Sequence, residues 1–239
     1  MFKAALKSVL GSLGLTLSRA SVDPTCEGFD VYLRRANEQG LDLNDWLESE
    51  HGWESAEELL GQQSLFPEFP EGACVLEIGS GTGRHARHLV ARLPRGRLIC
   101  VDHSPWCRRF LADYFRGQPQ VEVRSMEGWR LPAGDGELDM VFSNGTFIEL
   151  KLGTIHRFAA EISRALKNGG LVIFDYLDIE REEAWRFLRA SAPELDNCFT
   201  YHSGTTINKV FGDLGFTAIT RHQVGKNTYV AFRKSGGDE

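Results

Sequence analysis

The 239-residue chain predicts an α/β fold: a doubly wound, mostly parallel seven-stranded sheet with an antiparallel C-terminal strand and an N-terminal helical cap. Three observations predict it. From Gly72 onward, short apolar runs alternate with amphipathic helical patterns, the signature of parallel strands joined by helices. The closing stretch "FTAITRHQVGKNTYVAFRK" reads as two strands around "VGKN", a hairpin. Residues 1 to about 60 carry no strand signal and read as helical.

Each element has a local reason. "ACVLEIG" is apolar enough for a strand buried on both faces, and "RHARHLVARL" keeps a helical period ending near Pro94. "GRLICVD" is the second strand. "SPWCRRFLADYF" is the second helix, with Ser104 as its N-cap and Pro105 in the first turn. "QVEVRS" and "ELDMVFSN" are the third and fourth strands. "TIHRFAAEISRALKNGG" reads as a helix stopped by Asn-Gly-Gly, and "LVIFDYLD" as the fifth strand. A helix "REEAWRFLRAS", an irregular stretch through Thr200, the helix "TTINKVFGDLGF" and the hairpin complete the chain. The expected division is a cap over residues 1–60 with Trp46 and Trp53 as apolar anchors, a sheet domain over 61–234, and a disordered tail over 235–239.

Composition removes several classes of function. Against 33 Asp+Glu stand 27 Lys+Arg, and no long basic run offsets the net charge of -6, so no nucleic-acid partner is expected. Cys26, Cys74, Cys100, Cys107 and Cys198 are odd in number and lack metal-type spacing; they read as reduced thiols of a cytoplasmic protein. The first twenty residues place Phe2, Ala5, Leu6, Val9, Leu10 and Leu13 at helical spacing, but Lys7, Ser8, Gly11 and Ser12 interrupt any signal or spanning segment. A helix packed on the domain, a frayed end and a weak membrane-surface helix all remain open for that stretch.

The chemistry centres on "VLEIGSGTGRH", where a strand runs through three glycines into a helix. Gly79, Gly81 and Gly83 permit a tight turn and a close approach of a ligand to bare backbone. Asp102 ends the next strand, 19 residues after Gly83, where a carboxylate can accept from both ribose hydroxyls. A dinucleotide fingerprint wants Gly-x-Gly-x-x-Gly or Ala, and here that third position is the bulky Arg84. Glu77, just before the turn, suits a ligand bearing an ammonium group better than a pyrophosphate. The spacing therefore favours an amino-acid-bearing nucleoside over NAD.

"VLEIGSGTGRHARHL", with "VD" ending 24 residues beyond Ile78, resembles the class I S-adenosylmethionine-dependent methyltransferases. The likeness covers roughly residues 65–233. "LPAGDGELDMVFSN" resembles the family's approach to its fourth strand, "FAAEISRALKNGGLVIFDY" its helix, turn and fifth strand, and the hairpin its reversed seventh strand. The resemblance implies S-adenosyl-L-methionine as cofactor. It places Gly79, Ser80, Gly81 and Gly83 along the methionyl part, Glu77 at the amino group and Asp102 at the ribose. His103 would pack on adenine, and Asn144 would lie beside the sulfonium. Where the family often has Asp after its third strand, this chain has "SMEGW", so Met126 would supply apolar contact and Glu127 the acceptor for the adenine amino group. "SNGTF" is not the Asn-Pro-Pro-Tyr tetrapeptide of amino-methylating DNA enzymes, and no Pro-Cys nucleophile is present.

An acceptor hydroxyl benefits from a base, whereas an amine needs only its lone pair. Candidates beyond the strand ends are His202, His156 and Glu149, together with Asp175, Tyr176 and Tyr201. His202, expected in a loop, ranks first. His85 and His88 stand three apart on a helix, but no useful partner accompanies them, so a solvated face is expected and no metal site. The expected function is methyl transfer to a small-molecule acceptor, oxygen ahead of nitrogen. A non-catalytic domain keeping the nucleoside pocket as a sensor or scaffold is the alternative.

Overall fold

All five residues of Cys74–Ile78 (β1) are buried, as a strand covered by helices on both faces must be. In the computed structural model, which describes residues 24–49, 55–93, 95–191 and 198–236, this strand lies inside the sheet, beside the central strand. Arg97–Val101 (β2) and Leu138–Ser143 (β4) flank it in parallel, with Val121–Arg124 (β3) outside β2 and Leu166–Asp178 (β5) outside β4. Phe216–Val224 (β7) and Asn227–Lys234 (β8) form the expected hairpin. The strand order is β3-β2-β1-β4-β5-β8-β7. The reversed strand β8 is thus interior, antiparallel to β5 as well as to β7, and β7 forms the edge. A short strand, Tyr201–His202 (β6), adds to the carboxyl end of β5.

Pro24–Glu38 (α1), Leu43–Ser49 (α2) and Ala56–Leu60 (α3) precede the sheet. Ala86–Ala91 (α4), Pro105–Tyr114 (α5), Leu152–Ala165 (α6), Glu182–Ala190 (α7) and Gly204–Gly212 (α8) connect its strands. Ser104 caps α5, its side chain accepting from the Cys107 N–H at 3.3 Å. The Asn-Gly-Gly segment does not end α6 as expected. The helix stops at Ala165, because Leu166 already pairs with Leu138 in the sheet. Gly169, at φ +77°, and Gly170 instead carry β5 through an irregularity beside β4.

One core cluster is centred on Phe174 of β5, whose ring stacks on Phe147 at 4.5 Å, Phe211 at 4.9 Å and Phe232 at 6.1 Å. The first two helices keep a small core of their own. Ala36, Leu43, Trp46 and Leu47 are buried there, and Phe29 stacks on Trp106 of α5 at 5.8 Å. Leu59 and Leu60 of α3 join the cluster beneath the sheet instead. The expectations for residues 1–20, Trp53 and the last three residues of the tail lie outside the described residues. Among the described residues, no helix is long and apolar enough to cross a membrane.

Truncating a fully buried aromatic at the centre of such a stack leaves a cavity. Phe174→Ala is expected to destabilise the fold by ~3–5 kcal/mol. Urea titration should show a lower midpoint at an unchanged slope.

Candidate functional site

Because β1, β2, β4 and β5 run parallel, their carboxyl ends meet along one rim, and the residues singled out above follow them there. After β1 the chain turns through Gly79, Gly81 and Gly83, all left-handed at φ +74°, +54° and +81°. Two of these glycines are required by the protein's own packing. A Cβ on Gly79 would lie 1.9 Å from Thr146 Oγ1, and one on Gly83 would press within 3.0 Å of Leu111 and Phe115. A Cβ on Gly81 would meet only Phe29, at 3.8 Å. The turn is pinned to the next strand by the Gly79 and Ser80 N–H groups, which donate to Val101 O at 2.7 and 3.1 Å.

Glu77 is the electrostatic anomaly of this rim. Its side chain is 1% exposed, and its Oε2 has no hydrogen-bond partner among the described residues. Burial pushes its carboxyl up to about 8, with Ser80 and the Arg84 charge drawing it down and Asp102 drawing it up. Holding it ionised costs roughly 5 kcal/mol relative to an ordinary glutamate. An orphaned buried carboxylate oxygen at the mouth of a turn suits a cationic N–H donor, so this site fits an ammonium-bearing nucleoside.

Asp102 is buried, and its carboxylate ties two loops together. Oδ2 accepts from the Gly81 N–H at 2.9 Å, and Oδ1 from the Ser104 N–H at 2.8 Å. Each oxygen keeps a further lone pair for a ligand hydroxyl. Arg108 closes the turn, its Nη1 donating to the carbonyls of Asp102 and His103 at 2.7 and 2.8 Å. The His103 side chain is 76% exposed, with Nδ1 at 3.6 Å from Asp102 Oδ1. Met126 is half-buried against the core, whereas Glu127 is exposed in the loop after β3. Ser80 is buried and donates to Glu77 O at 3.2 Å.

Asn144 ends β4 as part of a chain of side chains. Its Oδ1 accepts from Arg84 Nη2 at 3.2 Å, and its Nδ2 donates to the hydroxyl of the buried Tyr229. The next residue is also fixed: the Gly145 N–H donates to Asp175 Oδ1 at 2.8 Å, and Asn227 Nδ2 donates to Asp175 Oδ2 at 2.9 Å. Asp175 therefore braces the β4 loop.

The three candidate bases stand in different settings. Glu149 lies exposed at the end of a 3₁₀ turn, Phe147–Glu149, and His156 is exposed on α6. His202 sits in β6 instead of a loop, with Nε2 at 3.1 Å from Leu150 O. Tyr176 is buried against Asp178, and burial pushes its hydroxyl up to about 12. The solvated face expected for His85 and His88 is overturned. His85 is buried edge-on against Phe142, and burial holds it well below the ordinary histidine range, while His88 is half-buried. No metal-binding cluster occurs among the described residues.

Sequence reasoning missed the seating of the cap on the glycine turn. Asn44 of α2 accepts from Thr82 Oγ1 at 2.5 Å and donates to Thr82 O at 3.0 Å. Glu48 faces Arg84 at 3.6 Å, and Asp45 accepts from Arg87 Nη1 at 2.5 Å. Thr82 and Arg84 stand inside the glycine motif, but nothing near Asn44 in the sequence marks a partner 38 residues away.

Residues 75–170 match the family model described as a methyltransferase domain. A malonyl-[acyl-carrier protein] O-methyltransferase of Geobacter sulfurreducens is 36% identical over 110 residues, which are 46% of this chain and 40% of that protein. A protein of the same name from Methylococcus capsulatus is 29% identical over 121 residues, 49% of this chain and 43% of its own length. The chain thus spans less than half the length of these curated relatives. Among solved structures, a SAM-dependent methyltransferase from Aquifex aeolicus is 20% identical, with a TM-score of 0.55 over 74% of this chain and 95% of that one. A geranyl diphosphate methyltransferase in complex with GPP and sinefungin is 16% identical, with a TM-score of 0.63 over 80% of this chain and 81% of that one. These two likenesses show the fold. With the glycine turn at the end of β1, the family-model match identifies residues 75–170 as a methyltransferase domain of the class I S-adenosylmethionine-dependent type, with S-adenosylmethionine as its cofactor.

Proposed function

We propose that this protein transfers a methyl group from S-adenosylmethionine to a carboxylate oxygen of its acceptor. The observation that carries the cofactor half of this reading is the unpartnered Oε2 of the buried Glu77. In this reading Glu77 takes the cofactor's ammonium group. Gly79, Ser80, Gly81 and Gly83 lie along the methionyl chain. Asp102 takes the ribose hydroxyls, His103 and Met126 cover adenine, Glu127 accepts from its amino group, and Asn144 stands beside the reacting centre.

When bound, S-adenosylmethionine supplies a methyl group already activated on a positively charged sulfur. The protein is left to align donor and acceptor and to exclude water. Glu149 and His156 are exposed, and His202 faces a backbone carbonyl, so no base is supported among them. A carboxylate acceptor requires none, because it is ionised at neutral pH. Two relatives are named for O-methylation of a malonyl group, which ends in a carboxylate. Their names also support an acceptor held on a carrier protein as readily as a free small molecule.

Four outcomes are expected. Asp102→Ala should weaken S-adenosylhomocysteine binding by ~1–3 kcal/mol in calorimetry, through loss of a buried polar partner; unchanged affinity rules out the ribose role. The Glu77 carboxyl titrates at about 8 in the free fold, above its unfolded value, so its stabilising contribution is complete in acid and is lost as pH rises through that value. Glu77→Gln should therefore melt higher than wild type at pH 8 and equal to it at pH 4. An ammonium partner favours the ionised form, so S-adenosylhomocysteine affinity should rise between pH 6 and pH 8 in wild type and stay flat in Glu77→Gln. Labelled methyl transferred to acceptors in a cell extract, or to a malonyl-carrier protein, should be released as methanol by mild alkali. Alkali-stable label would rule out a carboxylate acceptor and leave a hydroxyl oxygen or a nitrogen.

A further inference from the structure

The helical cap makes its most specific contacts with the glycine turn itself. Asn44 is 0% exposed and uses both ends of its amide on Thr82, one on the hydroxyl and one on the backbone carbonyl. Thr82 lies between Gly81 and Gly83, so this pair fixes the middle of the left-handed turn from outside the sheet. A second link runs beside it. Glu48 of α2 faces the buried Arg84, whose other terminal nitrogen donates to Asn144 at the end of β4. The cap is anchored independently to α5, through its own small core and the Phe29–Trp106 stack. It therefore spans the two loops that close on Glu77 and Asp102.

Buried amide groups paired at both ends are strict about geometry, since a lost partner leaves an unsatisfied polar atom. A turn of three left-handed glycines has little conformational preference of its own. We propose that Asn44 is a positioning residue for the cofactor turn, so that seating of α2 and binding of the cofactor are one coupled equilibrium. The inference rests on reading that turn as part of the cofactor site. Linkage makes the coupling reciprocal: a seated cap raises cofactor affinity, and bound cofactor holds the cap down.

The test uses the full chain with S-adenosylhomocysteine as the probe, read by calorimetry and by amide hydrogen exchange over residues 43–49. Thr82→Val and Asn44→Ala should each weaken binding about five- to tenfold, the scale of a lost buried hydrogen bond. The double variant should be no weaker than Asn44→Ala alone, because the hydroxyl bond lost in Thr82→Val is already lost in Asn44→Ala. Thr82→Ser keeps the hydroxyl and should bind within about twofold of wild type. The probe should slow exchange across 43–49 in wild type and Thr82→Ser, but not in Thr82→Val. A purely structural role would lower the melting temperature and leave the affinity unchanged; that result overturns the proposal, as does equal loss in the serine and valine variants. Should Asn44→Ala fail to fold, the Thr82 pair decides alone. If wild type itself does not bind the probe, the reading of the turn as a cofactor site fails, and this inference with it.

Discussion

The site depends on a carboxylate kept where water cannot reach it. Glu77 ends a strand buried along its whole length, and its neighbours leave one oxygen without a donor. Such a group is tolerated in a folded protein only at a cost, and the cost is recovered when a cation arrives. Arg84 softens it through charge, but its guanidinium is already engaged with Asn144 and Glu48. A ligand that brings its own ammonium completes the arrangement. The proposed cofactor geometry follows from that demand: the amino end at β1, the ribose at Asp102 one strand over, and the activated methyl toward the end of β4.

Around that point the fold spends its polar contacts on holding loops still. Asp102 binds the glycine turn to the start of α5, and Asp175 braces the β4 loop. Asn44 clamps the turn from the cap. These contacts are buried or half-buried, and each satisfies backbone or side-chain groups that would otherwise be stranded. Reactions that need little acid–base help place their burden on such alignment, and a carboxylate acceptor is of that kind.

Much of this was legible in the sequence because the signals were local. Apolar runs of strand length, Ser104 before Pro105, and the two-residue turn between Val224 and Asn227 each report on a few neighbouring residues. The position of β8 inside the sheet was less legible, since the hairpin pattern does not say which of its strands pairs with β5. The Asn-Gly-Gly segment misled because glycines that end helices also bend strands. His85 misled for a similar reason: helical spacing alone does not show that Phe142 covers that face. Glu77, Asp102 and Asn144 were singled out from motif position. Asn44, Glu48 and Tyr229 were not, since their partners are brought to them only by the folded chain.

A crystal structure of the complex with S-adenosylhomocysteine tests the account most directly. The account predicts the ligand's amino nitrogen within hydrogen-bonding distance of Glu77 Oε2 and its ribose hydroxyls on Asp102. A ligand whose amino group is held elsewhere, with that oxygen still unpaired, would contradict it.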